Sequence, residues 1–332
     1  MPEFLVDIII PVWNRPVETR SALASFVASS PFARLVMVNN GSERETERIL
    51  DEFAEALDDG AILLATSRNL GKVAAINLGV SQARAPYVFL ADSSIRLQEG
   101  WFDPLLDYLQ NNPQVGAVAL QESVVAPIES DHGSFDAMLV RSDLFKQAGL
   151  FDESLDNGVW ALRDFARRLI RNGFLTAAAP SAGLKRENLP EFGSQSKRLE
   201  RMQAAAARYA ERWGASRSYL IPCLESHPGD NLDDFKTVLL TSARRGNLLA
   251  VTAGGKLARM LKKEGFAALH ENISFIALPL LFKEASFRKT VAKLLERDPE
   301  TLLVAEAPLF SLSLPQVSYS EFFSAGCVNQ GS

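Results

Sequence analysis

Cysteine is nearly absent from this sequence, and histidine is almost as scarce. Cys223 and Cys327 are the only two cysteines, and His132, His227 and His270 the only three histidines. Neither set has metal-ligand spacing, which excludes a zinc-cluster protein and a disulfide-stapled scaffold. Long apolar runs are missing too: nothing approaches the ~20 residues a membrane-spanning helix needs. Basic residues do not outnumber acidic ones (35 against 40), and the net charge of -5 argues against a nucleic-acid-binding protein. That balance still permits an anionic ligand, since backbone N–H groups and single Arg or Lys residues bind phosphate locally. The opening MPEFLVDIIIPVWN has no basic leader and too short an apolar stretch for a signal peptide, so the expected location is the reducing cytoplasm. No internal repeat or low-complexity tract occurs.

What is present is ordinary globular composition, 47% hydrophobic and 23% charged, in 332 residues. That length suggests about two domains. Val6-Asp7-Ile8-Ile9-Ile10 is a β-branched run stopped by Pro11, a buried-strand signal. Helical spacing follows over 17–28, a second strand over 35–38, a helix over 43–57 and a third strand over 61–65. A loop enters a helix over 69–83, and Val88-Phe89-Leu90-Ala91 forms a fourth strand ending at Asp92. Four alternations of strand and helix predict a mostly parallel sheet covered on both faces. Further strands are expected at 115–120 and 137–140, and helices at 142–148, 160–172 and 195–213.

Pro222, Pro228 and Gly229 mark a polar, turn-rich stretch, and a domain boundary is expected there, giving domains of 1–220 and 221–332. Beyond it, Val238-Leu239-Leu240, 248–251 and 302–305 read as strands, and Gly254-Gly255 opens a helix to Glu264. The Thr252 to Ala258 turn is faintly similar to the first turn of a nucleotide-cofactor fold, with Glu271 at a distance where a ribose partner could lie. The glycine fingerprint is incomplete, however, and catalysis is not expected in that domain.

Asp92 stands where α/β folds place ligand chemistry, at the carboxyl end of a buried strand. Around it lie Pro11-Val12-Trp13-Asn14-Arg15, Val38-Asn39-Asn40-Gly41-Ser42, and Asn69-Leu70-Gly71 with Ala75 and Asn77. Asp92-Ser93-Ser94 with Gly100-Trp101, Ala137 to Arg141, Gly149 to Glu153, and Arg208-Tyr209 with Arg212-Trp213-Gly214 follow in order. Together these segments resemble the family 2 glycosyltransferases of GT-A fold over the first 215 or so residues. The resemblance implies a Rossmann-like, mostly parallel mixed sheet in the N-terminal domain, followed by a smaller C-terminal α/β domain. It also implies binding of a nucleotide-diphosphate sugar and inverting transfer of the sugar to an acceptor hydroxyl, with the acceptor unspecified.

By the same resemblance, Pro11, Trp13, Asn14, Arg15, Asn39, Asn69, Gly71 and Lys72 would bind the donor. Asp92 would hold a divalent cation, Mn²⁺ or Mg²⁺, weakly until nucleotide arrives. The family's D-x-D motif has its second acid at Ser94 here, which brings a hydroxyl and no charge. A second departure lies at the acceptor side. The family's Glu-Asp pair falls on Ala161 and Leu162, leaving Asp164 as the catalytic candidate of that motif. Asp164 is turned by about 200° from the family's base position, so it does not simply replace it. Asp131, Glu153 and Asp156 are substitute carboxylates in loops. Arg163, Arg167, Arg168 and Arg171, at helical spacing, read as a charged exposed face. Two function classes therefore stand: a glycosyltransferase, and a catalytically silent binding or scaffold module of the same fold.

Overall fold

The strand β1 (Val6–Val12) is buried along almost its whole length, and it lies between two parallel neighbours. Burial on both faces explains why its sequence is a continuous apolar run rather than an alternation. In this computed structural model, which describes residues 4–189, 193–223, 231–279, 283–306 and 314–327, the chain forms two compact units. One comprises the chain to Pro127 together with His132–Arg212; the other comprises Ile128–Asp131 and the chain from Trp213.

After β1 come α1 (Pro16–Ser29), β2 (Ala33–Asn40), α2 (Arg44–Leu57), β3 (Ala61–Thr66), α3 (Lys72–Val80), β4 (Tyr87–Ala91) and β5 (Ile95–Leu97). Then follow α4 (Asp103–Asn111), β6 (Val115–Gln121), β7 (Ile128–Ser130), β8 (Ala137–Arg141), α5 (Leu144–Gln147), α6 (Trp160–Arg171), β9 (Leu175–Pro180), β10 (Leu184–Arg186) and α7 (Gln195–Trp213). The sheet of the first unit runs β3-β2-β1-β4-β8-β6-β9. Strands β1 to β4 are parallel, β8 is antiparallel to both β4 and β6, and β6 pairs in parallel with β9. Strand order reverses between β1 and β4, and at such a switch point the carboxyl ends of the strands leave a crevice for ligand. Val12, Asn40 and Ala91 end their strands at that edge.

Two buried polar anchors hold this unit. Asp7, fully buried on β1, accepts both guanidinium N–H groups of Arg34 at 2.8 and 3.0 Å and the backbone N–H groups of Arg84 and Ala85 at 2.6 and 2.8 Å. Trp101, also buried, packs against Phe89 and Phe102 and donates its indole N–H to Ser30 Oγ at 2.9 Å. The Gly100-Trp101 pair is thus a core anchor.

The second unit adds β11 (Ser218–Cys223), α8 (Leu232–Arg244), β12 (Leu248–Gly254), α9 (Gly255–Lys263), β13 (Ile273–Leu278), α10 (Lys283–Arg297), β14 (Leu302–Val304), β15 (Gln316–Val317) and α11 (Tyr319–Cys327). Its sheet runs β13-β12-β11-β14-β15 with parallel pairing throughout. Val238-Leu239-Leu240, expected as a strand, lies inside α8. There Phe235, Val238, Leu239 and Ser242 are buried at the three-and-four spacing of a helix face, which a three-residue apolar run conceals. Pro222 lies within β11, while residues 224–230 of the expected boundary stretch fall outside the described residues. Glu271 accepts hydrogen bonds from the Ser130 hydroxyl and the Asp131 backbone N–H, which uses it locally.

Candidate functional site

Between β1 and α1 the chain turns through Asn14 and Arg15, both left-handed at φ 59°. Such a conformation costs on the order of 1–3 kcal/mol per non-glycine residue and persists only where neighbours hold it. The hold is visible. Asn14 N–H donates to Ser42 Oγ at 2.9 Å, its Oδ1 accepts from Glu43 N–H at 2.8 Å, and Ser42 N–H donates to Asn39 Oδ1 at 2.9 Å. Asn14 and Asn39 are therefore spent on stitching the end of β1 to the end of β2. The turn they fix presents Trp13, 39% exposed, to the adjacent cleft.

A second stitch joins β2 to the loop before α3. Asn40 donates to Asn69 Oδ1 and to Gly71 O, both at 3.1 Å, and accepts from Leu70 N–H at 2.8 Å. Two glycines allow this loop to close. A Cβ at Gly41 (φ +72°) would lie 2.4 Å from the Arg68 backbone carbon, and one at Gly71 (φ +98°) would lie 2.5 Å from Asp156 Oδ2. The loop delivers Lys72 as the first residue of α3, behind the N-cap Gly71, whose N–H donates to Asn69 Oδ1 at 2.8 Å.

Lys72 Nζ donates to Asp92 Oδ2 at 3.0 Å and to Asp136 Oδ1 at 2.5 Å. Asp92 follows β4, and Asp136 precedes β8. Because Ala91 pairs with Ala137 across these antiparallel strands, the two aspartates stand side by side at the sheet edge. Arg186 on β10 closes the set, with Nη1 2.9 Å from Asp136 Oδ2. The remaining oxygen, Asp92 Oδ1, accepts from Ser94 N–H at 2.7 Å. Burial disfavours the Lys72 charge, but the two facing carboxylates outweigh it and raise its pKa above the usual lysine range. Burial likewise disfavours charge on Asp92, and the Lys72 ammonium together with the Ser94 hydrogen bonds overrides it, bringing the carboxyl to about 2.

These groups line a cleft of about 610 Å³, with Pro11, Trp13, Arg15, Asn69 and Gly71 on its walls. Arg15, Lys72, Arg186, Arg198 and Arg201 face it, against Asp92, Asp136, Asp156 and Glu187. Glu187 is itself paired with Arg96 at 3.1 Å. The cleft is thus locally cationic on a chain whose net charge is -5. A neighbouring hollow of about 710 Å³ shares Lys72, Asp136 and Arg186 with it, and Glu122 and His132 line that second space.

Of the donor residues expected from sequence, all but Asn14 and Asn39 line the first cleft, as do Asp92 and Ser94. Asp164 lines neither space. It is fully buried, and its carboxylate accepts from Arg168 Nε at 2.8 Å and Arg212 Nη1 at 2.7 Å, which gives it a structural task. The arginine face expected on α6 is correspondingly half-buried at Arg163, Arg167 and Arg168; the Arg168 guanidinium also binds the carbonyls of Ala148, Gly149 and Leu150. Among the loop carboxylates, Asp156 reaches the cleft, whereas Asp131 belongs to the second unit and Glu153 accepts from Asn77 Nδ2 at 3.0 Å. Asn40, Asp136 and Arg186 were not singled out by sequence. The first was hidden beside Asn39, and nothing local marks the other two.

The cation set does not suit a divalent metal as arranged. Mg²⁺ and Mn²⁺ need carboxylate oxygens to face them, yet every oxygen of Asp92 and Asp136 already receives a protein N–H or ammonium. Ser94 supplies its backbone N–H to Asp92.

The switch-point cleft lies in a doubly wound α/β domain. Residues 7–147 match the family model Glycosyl transferase family 2. The uncharacterized glycosyltransferase YaiP of Escherichia coli is 31% identical over 88 residues, 26% of this chain and 22% of that one. The poly-beta-1,6-N-acetyl-D-glucosamine synthase of Staphylococcus epidermidis is 25% identical over 114 residues, 34% of this chain and 27% of that one. The matches thus span only about a quarter of these curated relatives. A mannosyltransferase from Pyrobaculum calidifontis, solved with GDP-Man and Mn²⁺, superposes with a TM-score of 0.52 at 16% identity, over 90% of this chain and 82% of that one. GalNAc-T7, solved with UDP, GalNAc and Mn²⁺, gives 0.53 at 14% identity, over 64% and 48%. At such identities these structures establish the fold, which is GT-A. Among the described residues, no helix is long and apolar enough to cross a membrane.

Proposed function

We propose that the N-terminal unit binds a nucleotide-diphosphate sugar in the cleft at the β1/β4 switch point and transfers the sugar to an acceptor hydroxyl. The observation that carries this reading is the meeting of two spaces at Lys72, Asp136 and Arg186. One space offers an aromatic wall and a cationic floor, suited to a base and a diphosphate; the other offers an approach for an acceptor. Transfer would proceed with inversion. The acceptor oxygen bonds to the anomeric carbon as the carbon–oxygen bond to the diphosphate breaks, and the diphosphate departs toward Lys72 and Arg186. The acceptor proton passes to a base in the second hollow. Asp136 is already bound by two cations, so Glu122 and His132 are the groups suited to that role.

The second reading is a silent binding module. It is favoured by one observation: Asp164, the catalytic candidate that the resemblance implies, is held by two arginines. Incubation with labelled UDP- and GDP-sugars separates the two. Release of nucleoside diphosphate, faster with oligosaccharide acceptors present, supports transfer. Saturable nucleotide binding with no release over hours supports the silent module, and absence of binding sinks the transferase reading and leaves a scaffold.

A further inference from the structure

We propose that this cleft holds the donor diphosphate without a divalent metal, using the Lys72 ammonium and the Arg186 guanidinium as its permanent cations. The inference rests on the nucleotide-sugar reading above and concerns how that site works. It runs against the Mn²⁺ present in the two similar structures.

Asp92 and Asp136 stand side by side at the sheet edge that lines the cleft, and Lys72 bridges them at 3.0 and 2.5 Å. Their other oxygens take Ser94 N–H at 2.7 Å and Arg186 Nη1 at 2.9 Å. Two negative and two positive groups therefore cancel within this cluster, so a divalent ion meets no net negative charge there. To enter, the ion would have to displace an ammonium held by both carboxylates at once. The same arrangement suits phosphate. An ammonium has three N–H donors, and two are used here. A guanidinium has five, of which one serves Asp136. Lys72 also opens α3, whose N-cap Gly71 has no side chain to cap the first turn and whose dipole favours an anion. The second acid of this set comes from the chain before β8, while Ser94 supplies none. Here the paired acids orient a lysine, in place of gripping a metal.

Calorimetry of UDP and GDP binding tests this, in EDTA and in millimolar Mn²⁺. The better-binding nucleotide should show the same Kd, within about twofold, in both. Lys72→Ala should weaken binding roughly ten- to a hundredfold in EDTA, the usual value of a charge-assisted hydrogen bond. It should recover part of that loss in Mn²⁺, because the two freed carboxylates then face the ion. Lys72→Arg should retain most of the affinity in EDTA, and circular dichroism melting checks that each variant is folded. Asp136→Asn guards against an uninformative Lys72 variant. It removes one negative charge from the cleft, so binding should tighten or hold in EDTA. Wild-type binding that appears only with Mn²⁺, or is abolished by Asp136→Asn, overturns the metal-free proposal while leaving the nucleotide site standing. Binding of neither nucleotide in either buffer overturns the nucleotide reading itself, and this proposal with it.

Discussion

The ammonium of Lys72 lies 2.5 Å from Oδ1 of Asp136, a residue 64 positions along the chain. The contact exists because β8 runs antiparallel beside β4, so that the residue before one strand meets the residue after the other. Through Lys72, Asp136 is tied to Asp92, and the electrostatics of the cleft follow from that tie.

The Asp92 carboxyl is lowered from 3.8 to about 2, so in the folded state it binds its proton later than in the unfolded chain. Its contribution to stability is then fully present above about pH 4 and is lost as the pH falls toward 2. Denaturant melts of wild type and Asp92→Asn between pH 2 and 6 should diverge at the upper end and converge at the lower. A constant difference across that range would show that the charge on Asp92 is not what Lys72 answers.

Trp13, 39% exposed, is presented to the cleft beside two left-handed residues. Stacking of a base on an aromatic ring is worth about 1–3 kcal/mol. Trp13→Ala should therefore raise the Kd for a nucleoside diphosphate by roughly one to two orders of magnitude, with little effect on inorganic pyrophosphate. Equal losses for both ligands would place the base elsewhere.

The acceptor base is expected in the hollow beside the donor cleft. Removing a positioned base costs ~10²–10⁴ in rate. One of Glu122→Gln and His132→Asn should lower transfer by such a factor, measured by single-turnover kinetics, while nucleotide affinity is unchanged. If both variants keep full rate, that hollow does not deliver the acceptor proton.

Asp7 is the buried anchor of the sheet, remote from the chemistry. Asp7→Ala leaves Arg34, with a side chain 11% exposed, and two backbone N–H groups without their acceptor. Loss of one partner of a buried pair costs about 3–5 kcal/mol. A urea midpoint shifted by much less would mean that water or relaxation replaces the carboxylate.

The sequence by itself determined the strand–helix alternation, because buried parallel strands need continuous apolar runs and their helices need amphipathic spacing. It also located the loops at the strand ends, where Asn69, Gly71, Lys72 and Asp92 lie, since Asn and Gly mark turns by backbone preference. It was poorer for short or uneven strands: Leu175–Pro180 is rich in alanine, and Val238–Leu240 has an apolar run that fits either period. What only the tertiary structure decided was which marked residues meet the cleft. Asn14, Asn39 and Asn77 carry recognisable motifs, yet they are consumed in holding backbone, Asn77 through Phe151 N–H at 3.1 Å and O at 2.8 Å. Asp164 looked catalytic by position and is enclosed by two arginines, one of them from a helix 48 residues away. Asp136 and Arg186 carry no local signal, and they join the site through strand register and the β5–β10 pairing. Local pattern encodes burial and turns, because those depend on neighbours in the chain. A charge cluster depends on which strand ends are adjacent, and only the folded sheet sets that.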